Sequence, residues 1–179
     1  HTVPGADMTS FAFVFPGQGS QAVGMLDAWG DHPAIAATLA EASAALGEDI
    51  AALIKNGPKE QLDLTTNTQP VMLTAGIACY RAWMAETGLM PAAVAGHSLG
   101  ECSALVAGGA LCLADALPLV RLRAKAMQED VPVGVGAMAA ILGLDASAVQ
   151  AGCAEAAAAC GEAVEAANFR VALSPDGRT

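Results

Sequence analysis

The feature that most constrains this chain is the pentapeptide Gly96-His97-Ser98-Leu99-Gly100. It follows an apolar run at 92–95 with the composition of a strand, and it opens a segment at 99–106 with helical spacing. In that context, Gly-x-Ser-x-Gly predicts a sharp strand-to-helix turn that exposes the serine hydroxyl, because larger flanking residues would collide. An ordinary glycine-rich turn with an N-capping serine is the alternative. The flanking strand and helix favour a nucleophile at Ser98.

Short apolar strands alternate with helices along the rest of the chain. Strands are predicted at 11–15, 92–95, 136–142 and, weakly, 163–167, and helices at 33–46, 49–55, 69–86, 99–106, 115–128 and 146–160. This alternation predicts an α/β fold with a mainly parallel sheet. The glycine-containing stretch at 131–136 is the predicted boundary between two lobes.

Composition excludes several classes of function. Eight Lys and Arg against eighteen Asp and Glu give a net charge of −10, which argues against nucleic acid as a partner because phosphate binding needs many cations. No apolar stretch reaches the roughly 18 residues of a membrane span. The five cysteines are scattered without Cys-x-x-Cys spacing. We therefore expect no metal site, no disulfide framework and a cytoplasmic location.

Two arginines on the helix predicted at 115–128 differ in their surroundings. Arg121 and Arg123 are two residues apart and so lie on roughly opposite faces. Arg121 shares a polar stripe and is predicted to be solvated, whereas Arg123 shares an apolar stripe and should face inward. A buried guanidinium needs an anion. Two partners stay open: an internal carboxylate of Glu101 or Glu129, or a substrate carboxylate in the pocket of Ser98.

The first predicted strand is followed by the loop Pro16-Gly17-Gln18-Gly19-Ser20-Gln21. Its glycines permit close backbone approach, with N–H groups directed at a ligand. It is not a phosphate-binding P-loop, since the required spacing and lysine are absent. A tight turn is the plain interpretation. Beside a nucleophile elbow, however, the loop could supply a second donor to an oxyanion.

Four segments occur together in this chain, in a characteristic order and spacing. They are Phe13-Val-Phe-Pro-Gly-Gln-Gly-Ser-Gln21, Thr68-Gln-Pro70, Gly96-His-Ser-Leu-Gly-Glu101 with Ser103-Ala104, and Arg121-Leu-Arg123 with Met127-Gln128. Together they resemble the malonyl-CoA:acyl-carrier-protein transacylases of type II fatty acid synthesis, from Met8 to about Phe169. The resemblance implies an α/β-hydrolase-like core at 8–130 and part of a ferredoxin-like small lobe at 131–179. The polar start at 1–7 is expected to be the remnant of a cleaved tag.

The resemblance also implies roles for individual residues. Ser98 would take malonyl from CoA as an oxygen ester and pass it to the phosphopantetheine thiol of acyl carrier protein. Arg123 would bind the malonyl carboxylate, and the backbone N–H groups of Gln18 and Leu99 would form the oxyanion hole. His97 would pack or hydrogen-bond beside the site, because its place on the elbow is poor for a general base. Malonyl-CoA and acyl carrier protein are the implied partners, and no cofactor is implied.

Two departures from the family pattern are visible. Cys102 stands where tyrosine is common, which we interpret as a change in packing rather than a second nucleophile. The family's catalytic histidine lies downstream of the small lobe, and after Phe169 the sequence matches the family poorly. His1 and His32 are not placed to substitute for it. We therefore expect that this chain, truncated or altered, carries only part of the catalytic machinery.

Two other functions remain compatible with these residues. An esterase-like hydrolase would also use the Ser98 elbow, but it has no use for an inward Arg123. A catalytically inactive module that only binds CoA or carrier protein is the other. Arg123→Ala should remove a preference for malonyl only in the transacylase, and a malonyl adduct on Ser98 should form only in an active enzyme.

Overall fold

The computed structural model describes residues 10–131, 134–139 and 141–168. The chain divides into two compact units, residues 1–135 and 136–179. The predicted tag remnant at 1–7 and the divergent stretch after Phe169 lie outside the described residues. The division into a core at 8–130 and a small lobe at 131–179 stays a prediction.

The first unit alternates strands and helices as expected. Its elements are β1 (Ala12–Phe15), a 3-10 turn (Asp27–Trp29), α1 (Pro33–Leu46), α2 (Ile50–Asn56), α3 (Lys59–Leu62), α4 (Thr65–Thr87), β2 (Ala93–Gly96), α5 (Leu99–Ala107) and α6 (Leu113–Asp130). The two strands pair in parallel, with Ala12 opposite Ala93 and Phe15 opposite Gly96. The predicted α/β class is therefore confirmed. Among the described residues, no helix is long and apolar enough to cross a membrane.

Helix ends follow local chemistry. The helix predicted at 33–46 is confirmed as α1, where the His32 ring accepts a hydrogen bond from the Ala34 N–H and the chain leaves the helix through left-handed Gly47. The start predicted at 69 is wrong, because α4 begins four residues earlier. The Thr68 hydroxyl donates to the Leu62 and Leu64 carbonyls at 2.6 and 3.0 Å, which ties the added turn to the preceding chain.

One face of the sheet packs on helices. Phe13 and Phe15 point towards α4, where they meet Tyr80 and Trp83 in edge-to-face contacts. Residue Val14, between them, points the other way and is 74% exposed. The apolar run at 11–15 predicts a buried strand, but only one face of β1 is buried. Successive residues of a strand face opposite sides, and no described element covers the side of Val14.

Helix α4 lies at the centre of the unit and packs against α1, α5 and α6. Its buried residues contribute to two apolar clusters, one around Leu73 and Ile77 and the other around Val71 and Ala78. Burying each large aliphatic side chain of this kind stabilises the fold by about 1.5–3 kcal/mol. These contacts hold α4 against α6, and both helices contribute side chains to the site.

The second unit has one described helix, α7 (Ala146–Cys160), capped by the Asp145 carboxylate and ended by left-handed Gly161. This helix matches the prediction. The strands predicted at 136–142 and 163–167 are wrong for the described residues there, which form no strand. A strand needs a neighbour to bond its backbone N–H and C=O groups, and the described residues of this unit supply none.

Candidate active site

Ser98 occupies the turn between β2 and α5. Its backbone has φ 55° and ψ −114°, and among the described residues it is the only non-glycine with positive φ. Holding a residue in such a conformation costs about 1–3 kcal/mol, and strain of this kind concentrates at functional sites. The side chain is exposed, as a nucleophile requires.

The two glycines of the pentapeptide make this turn possible. A methyl group on Gly96 would lie 1.9 Å from the Gly100 carbonyl oxygen, and one on Gly100 would lie 2.2 Å from the Phe15 carbonyl oxygen. Both clashes are with backbone, which cannot move aside. The steric reason given above for the Gly-x-Ser-x-Gly pattern therefore holds in the structure.

Leu99 anchors the elbow from the following position. Its side chain is buried in the apolar cluster beneath the sheet, while its backbone N–H is at the first residue of α5. First-turn N–H groups lack partners within a helix, and the helix dipole makes that end favourable for negative charge. This position suits an oxyanion donor, although the role itself stays a prediction.

The glycine loop after β1 lies directly against the elbow. A methyl group on Gly17 would be 3.2 Å from the His97 carbonyl oxygen and 3.9 Å from its ring Nδ1. The Gln18 side-chain amide donates to the Thr65 hydroxyl at 3.1 Å, which fixes the loop to the start of α4. The oxyanion role of the Gln18 N–H and the role of His97 beside the site both stay predictions.

A second attachment holds the end of the same loop. The Gln21 side chain accepts from the Gly19 N–H at 2.8 Å and donates to the Asp63 carboxylate at 2.9 Å. Asp63 also pairs with Lys59. The hydrogen bond from Lys59, followed by that from Gln21, lowers the pKa of the Asp63 carboxyl below its ordinary value.

Arg123 reaches the hydroxyl of Ser98. Its Nη2 donates to Ser98 Oγ at 2.9 Å, and its Nη1 donates to Gln69 Oε1 at 2.5 Å. The inward orientation predicted for Arg123 is confirmed by its half-buried side chain and its bond to the buried Gln69, whereas Met127 on the same stripe is 45% exposed. Among the described residues neither Glu101 nor Glu129 forms an ion pair with it. The geometry therefore supports the alternative in which Arg123 serves the pocket of Ser98.

Arg121 corrects the sequence interpretation. Instead of a solvated side chain, it is 13% exposed, donates to Asn67 Oδ1 at 2.9 Å and forms an ion pair with Glu48 at 2.5 Å. The reason is tertiary: α6 packs against both α1 and α4, so a second face of this helix is covered. Spacing along one helix does not reveal how many neighbours that helix has.

Sequence reasoning assigned no role to Gln69, although it noticed the segment Thr68-Gln-Pro70. The buried amide of Gln69 becomes informative only through its contact with Arg123, which is 54 residues away in sequence. The sequence offered little signal, because Gln69 directly follows the polar residues at 65–68 and precedes the apolar run that begins at Pro70. Cys102 is half-buried and packs against the apolar core, in agreement with a packing role.

An exposed serine on a strained elbow, next to a helix N-terminus and a guanidinium, combines the groups that nucleophilic acyl chemistry uses. Comparison with known families agrees: the chain belongs to the acyl transferase domain family, whose model matches residues 12–170.

Its relatives narrow the class. The chain is 56% identical over 163 residues to the malonyl CoA-acyl carrier protein transacylase of Escherichia coli K12, covering 90% of this chain and 52% of the relative. It is 66% identical to the crystal structure of an acyl-carrier-protein S-malonyltransferase from Burkholderia pseudomallei 1710b. That match has a TM-score of 0.78 and covers 83% of this chain and 48% of the other.

A third match is a structure of a type II PKS acyl-carrier protein in complex with its malonyl-transacylase. It is 49% identical with a TM-score of 0.78, and the match covers 83% of this chain and 48% of that one. The chain thus spans about half the length of the relatives it matches. The family resemblance seen in the motifs is confirmed, and these relatives favour the transacylase prediction over the esterase-like hydrolase.

Proposed function

We propose that this chain carries the nucleophile and the acid-selecting arginine of a malonyl-CoA:acyl-carrier-protein transacylase. One observation supports this most directly: Arg123 Nη2 lies 2.9 Å from Ser98 Oγ, on a serine held in a strained elbow. An esterase for neutral acyl groups gains nothing from a guanidinium at that distance. A transferase that selects a short acid gains a partner for the carboxylate of its acyl group.

In the first half-reaction, Ser98 Oγ attacks the thioester carbonyl of malonyl-CoA and gives its proton to a general base. The carbonyl oxygen becomes negative, and we propose that the N–H groups of Leu99 and Gln18 stabilise it. Collapse of the tetrahedral intermediate breaks the C–S bond, CoA leaves as a thiol after protonation, and malonyl remains as an ester on Ser98.

In the second half-reaction, the phosphopantetheine thiol of acyl carrier protein attacks that ester. The C–O bond to Ser98 breaks, the serine regains its proton, and malonyl leaves as a thioester on the carrier. No external cofactor is needed, because malonyl-CoA is itself the substrate. The resemblance assigns the general base to a histidine downstream of the small lobe.

Arg123 would bind the malonyl carboxylate during both steps. The malonyl carboxylate is one methylene away from the ester carbonyl, so a guanidinium beside Oγ can reach it. Ion pairing to this carboxylate holds the acyl group in place and disfavours acetyl, which has no charge to offer. We also propose a cytoplasmic location. The five free cysteines support it, because thiols stay reduced in that compartment.

The test is an intact-mass measurement after incubation with malonyl-CoA. We expect a malonyl adduct on the parent chain and none on Ser98→Ala. Ser103→Ala, a buried serine in the next turn of α5, is the matched control and should keep the adduct. Absence of an adduct on the parent would favour the inactive binding module. Rapid release of free malonate without carrier protein would favour a hydrolase.

A further inference from the structure

The amide of Gln69 is the least expected polar group near the site. Its side chain lies in the first turns of α4 and is completely buried. Its Oε1 accepts from Arg123 Nη1 at 2.5 Å, and its Nε2 lies 3.3 Å from the Met127 sulfur. Because a guanidinium only donates hydrogen bonds, the amide oxygen has to face it. The amide nitrogen faces the thioether sulfur, which is a weak acceptor, so the amide has one favourable orientation.

Gln69 fixes the direction of the guanidinium. The five donors of an arginine lie in one plane, so a hydrogen bond to Nη1 limits rotation of the whole group. With Nη1 held by Gln69, Nη2 faces Ser98 Oγ at 2.9 Å. An acyl group on Ser98 would therefore meet an arginine that is already oriented.

Gln69 is also neutral, and this matters as much as its position. Burying a charged group without a counter-ion is unfavourable, so the usual partner of an arginine in such surroundings is a carboxylate. Two residues earlier on α6, Arg121 has one in Glu48. Among the described residues Arg123 has none, and an uncharged amide takes that place. The positive charge of Arg123 is thus left for a ligand.

We propose that Gln69 is the positioning residue that makes Arg123 selective for an acidic acyl group. It orients the guanidinium while leaving its charge uncompensated. This inference rests on the proposed function, because it assumes that an acyl group is carried on Ser98. A carboxylate at position 69 would form an internal ion pair with Arg123 and compete with the carboxylate of the substrate.

The test compares two isosteric variants with a matched control. Gln69→Glu keeps the shape and adds a charge, and Gln69→Met keeps the shape and removes the acceptor. Gln61→Glu makes the same chemical change at an exposed glutamine of α3. For each chain, the rates of Ser98 acylation by malonyl-CoA and by acetyl-CoA are measured by intact mass, and thermal unfolding is followed by circular dichroism.

For Gln69→Glu we expect the ratio of the malonyl rate to the acetyl rate to fall about tenfold or more, with the acetyl rate largely retained. For Gln69→Met the ratio should fall in the same direction but less. Gln61→Glu should match the parent. A residue that only supports the fold would lower both rates together and leave the ratio unchanged, and that result would overturn the inference.

The outcomes separate the two proposals. If the parent forms no adduct on Ser98, the proposed function fails and this inference fails with it. If the parent is acylated with a preference for malonyl and both variants keep that preference, only the inference about Gln69 is wrong. Should Gln69→Glu show no cooperative unfolding, the ratio measured for Gln69→Met decides.

Discussion

The two arginines of α6 each donate a hydrogen bond to an amide side chain of α4. Arg121 reaches Asn67 and Arg123 reaches Gln69, so two cations two residues apart bind two amides two residues apart on α4. Their second partners differ. Arg121 meets the carboxylate of Glu48, whereas Arg123 meets the hydroxyl of Ser98.

This difference in the second partner distinguishes an arginine that supports the fold from an arginine whose charge is not balanced by a described carboxylate. An arginine whose charge is balanced inside the protein fastens one segment to another, here α6 to the chain that directly follows α1. An arginine held only by neutral groups keeps its charge available, and that is useful where an anion has to bind. Neither hydrophobic pattern nor spacing distinguishes the two, because both depend on what the neighbouring helices present.

The largest effect should come from Arg123→Ala. Loss of the charged partner of a malonyl carboxylate should slow acylation of Ser98 by malonyl-CoA by about 100-fold, with little change in the rate for acetyl-CoA. Intact-mass time courses with both thioesters measure this, and thermal unfolding shows whether the fold is kept. Equal losses for the two thioesters would mean that Arg123 does not read the charge of the acyl group.

A moderate effect, on stability instead of selectivity, is expected from Arg121→Ala. The variant leaves Asn67 and Glu48 without their shared donor and should lower the free energy of unfolding by about 1–3 kcal/mol. Urea unfolding measures the loss. The malonyl-to-acetyl ratio should stay at the parental value. A changed ratio would show that the two arginines are not functionally separate.

A smaller effect is expected from Glu48→Gln. The Glu48 carboxylate is half-exposed, and such ion pairs contribute about 1 kcal/mol or less. The loss should be greatest at low salt and should shrink as ionic strength rises, because salt screens the parental pair. Urea unfolding at two salt concentrations tests this, with Glu129→Gln on the exposed end of α6 as control. A loss of the same size at both salt concentrations would argue that the pair acts through packing.

The smallest effect concerns the loop that carries Gln18 and lies against the elbow of Ser98. The pKa of Asp63 is lowered in the folded chain by its bonds to Lys59 and Gln21. A carboxyl whose pKa falls on folding stabilises the fold above its ordinary pKa of 3.8, and this contribution is lost as pH falls below that value.

Thermal unfolding of the parent and of Asp63→Asn should therefore differ slightly near neutral pH. The two chains should converge as the pH falls below the ordinary carboxyl pKa. A difference that persists in acid would mean that Asp63 holds the loop through its shape and not through its charge. Selectivity between the two thioesters should not depend on this change, in contrast to Arg123→Ala.

Local sequence was a good guide wherever a structure depends on near neighbours. The helices at 33–46 and 146–160 were predicted to the residue, because Pro33 and Gly47 mark the ends of one and Asp145 and Gly161 those of the other. It failed where side-chain hydrogen bonds or strand pairing decide, because neither is visible in the apolar pattern. The extra turn of α4 depends on hydrogen bonds from the Thr68 hydroxyl, and the strands predicted in the second unit lack a described pairing partner.

The candidate site also has one part that the sequence predicted and another part that it did not. Sequence alone identified Ser98 and its turn, since only glycine tolerates the backbone contacts at positions 96 and 100. It also indicated that Arg123 faces inward, from the apolar stripe that this residue shares. The partner of that arginine, and the enclosure of Arg121, were decided by helices whose packing a one-dimensional pattern does not contain.

The sequence by itself determined the forced turn at Ser98, the membership in a family of acyl transferases and the inward face that Arg123 occupies. Only the tertiary structure decided which groups that arginine contacts. Packing of α6 on α4 puts a neutral amide beside Arg123 and a carboxylate beside Arg121, since hydrogen bonds and ion pairs form between groups that are adjacent in space and distant in sequence.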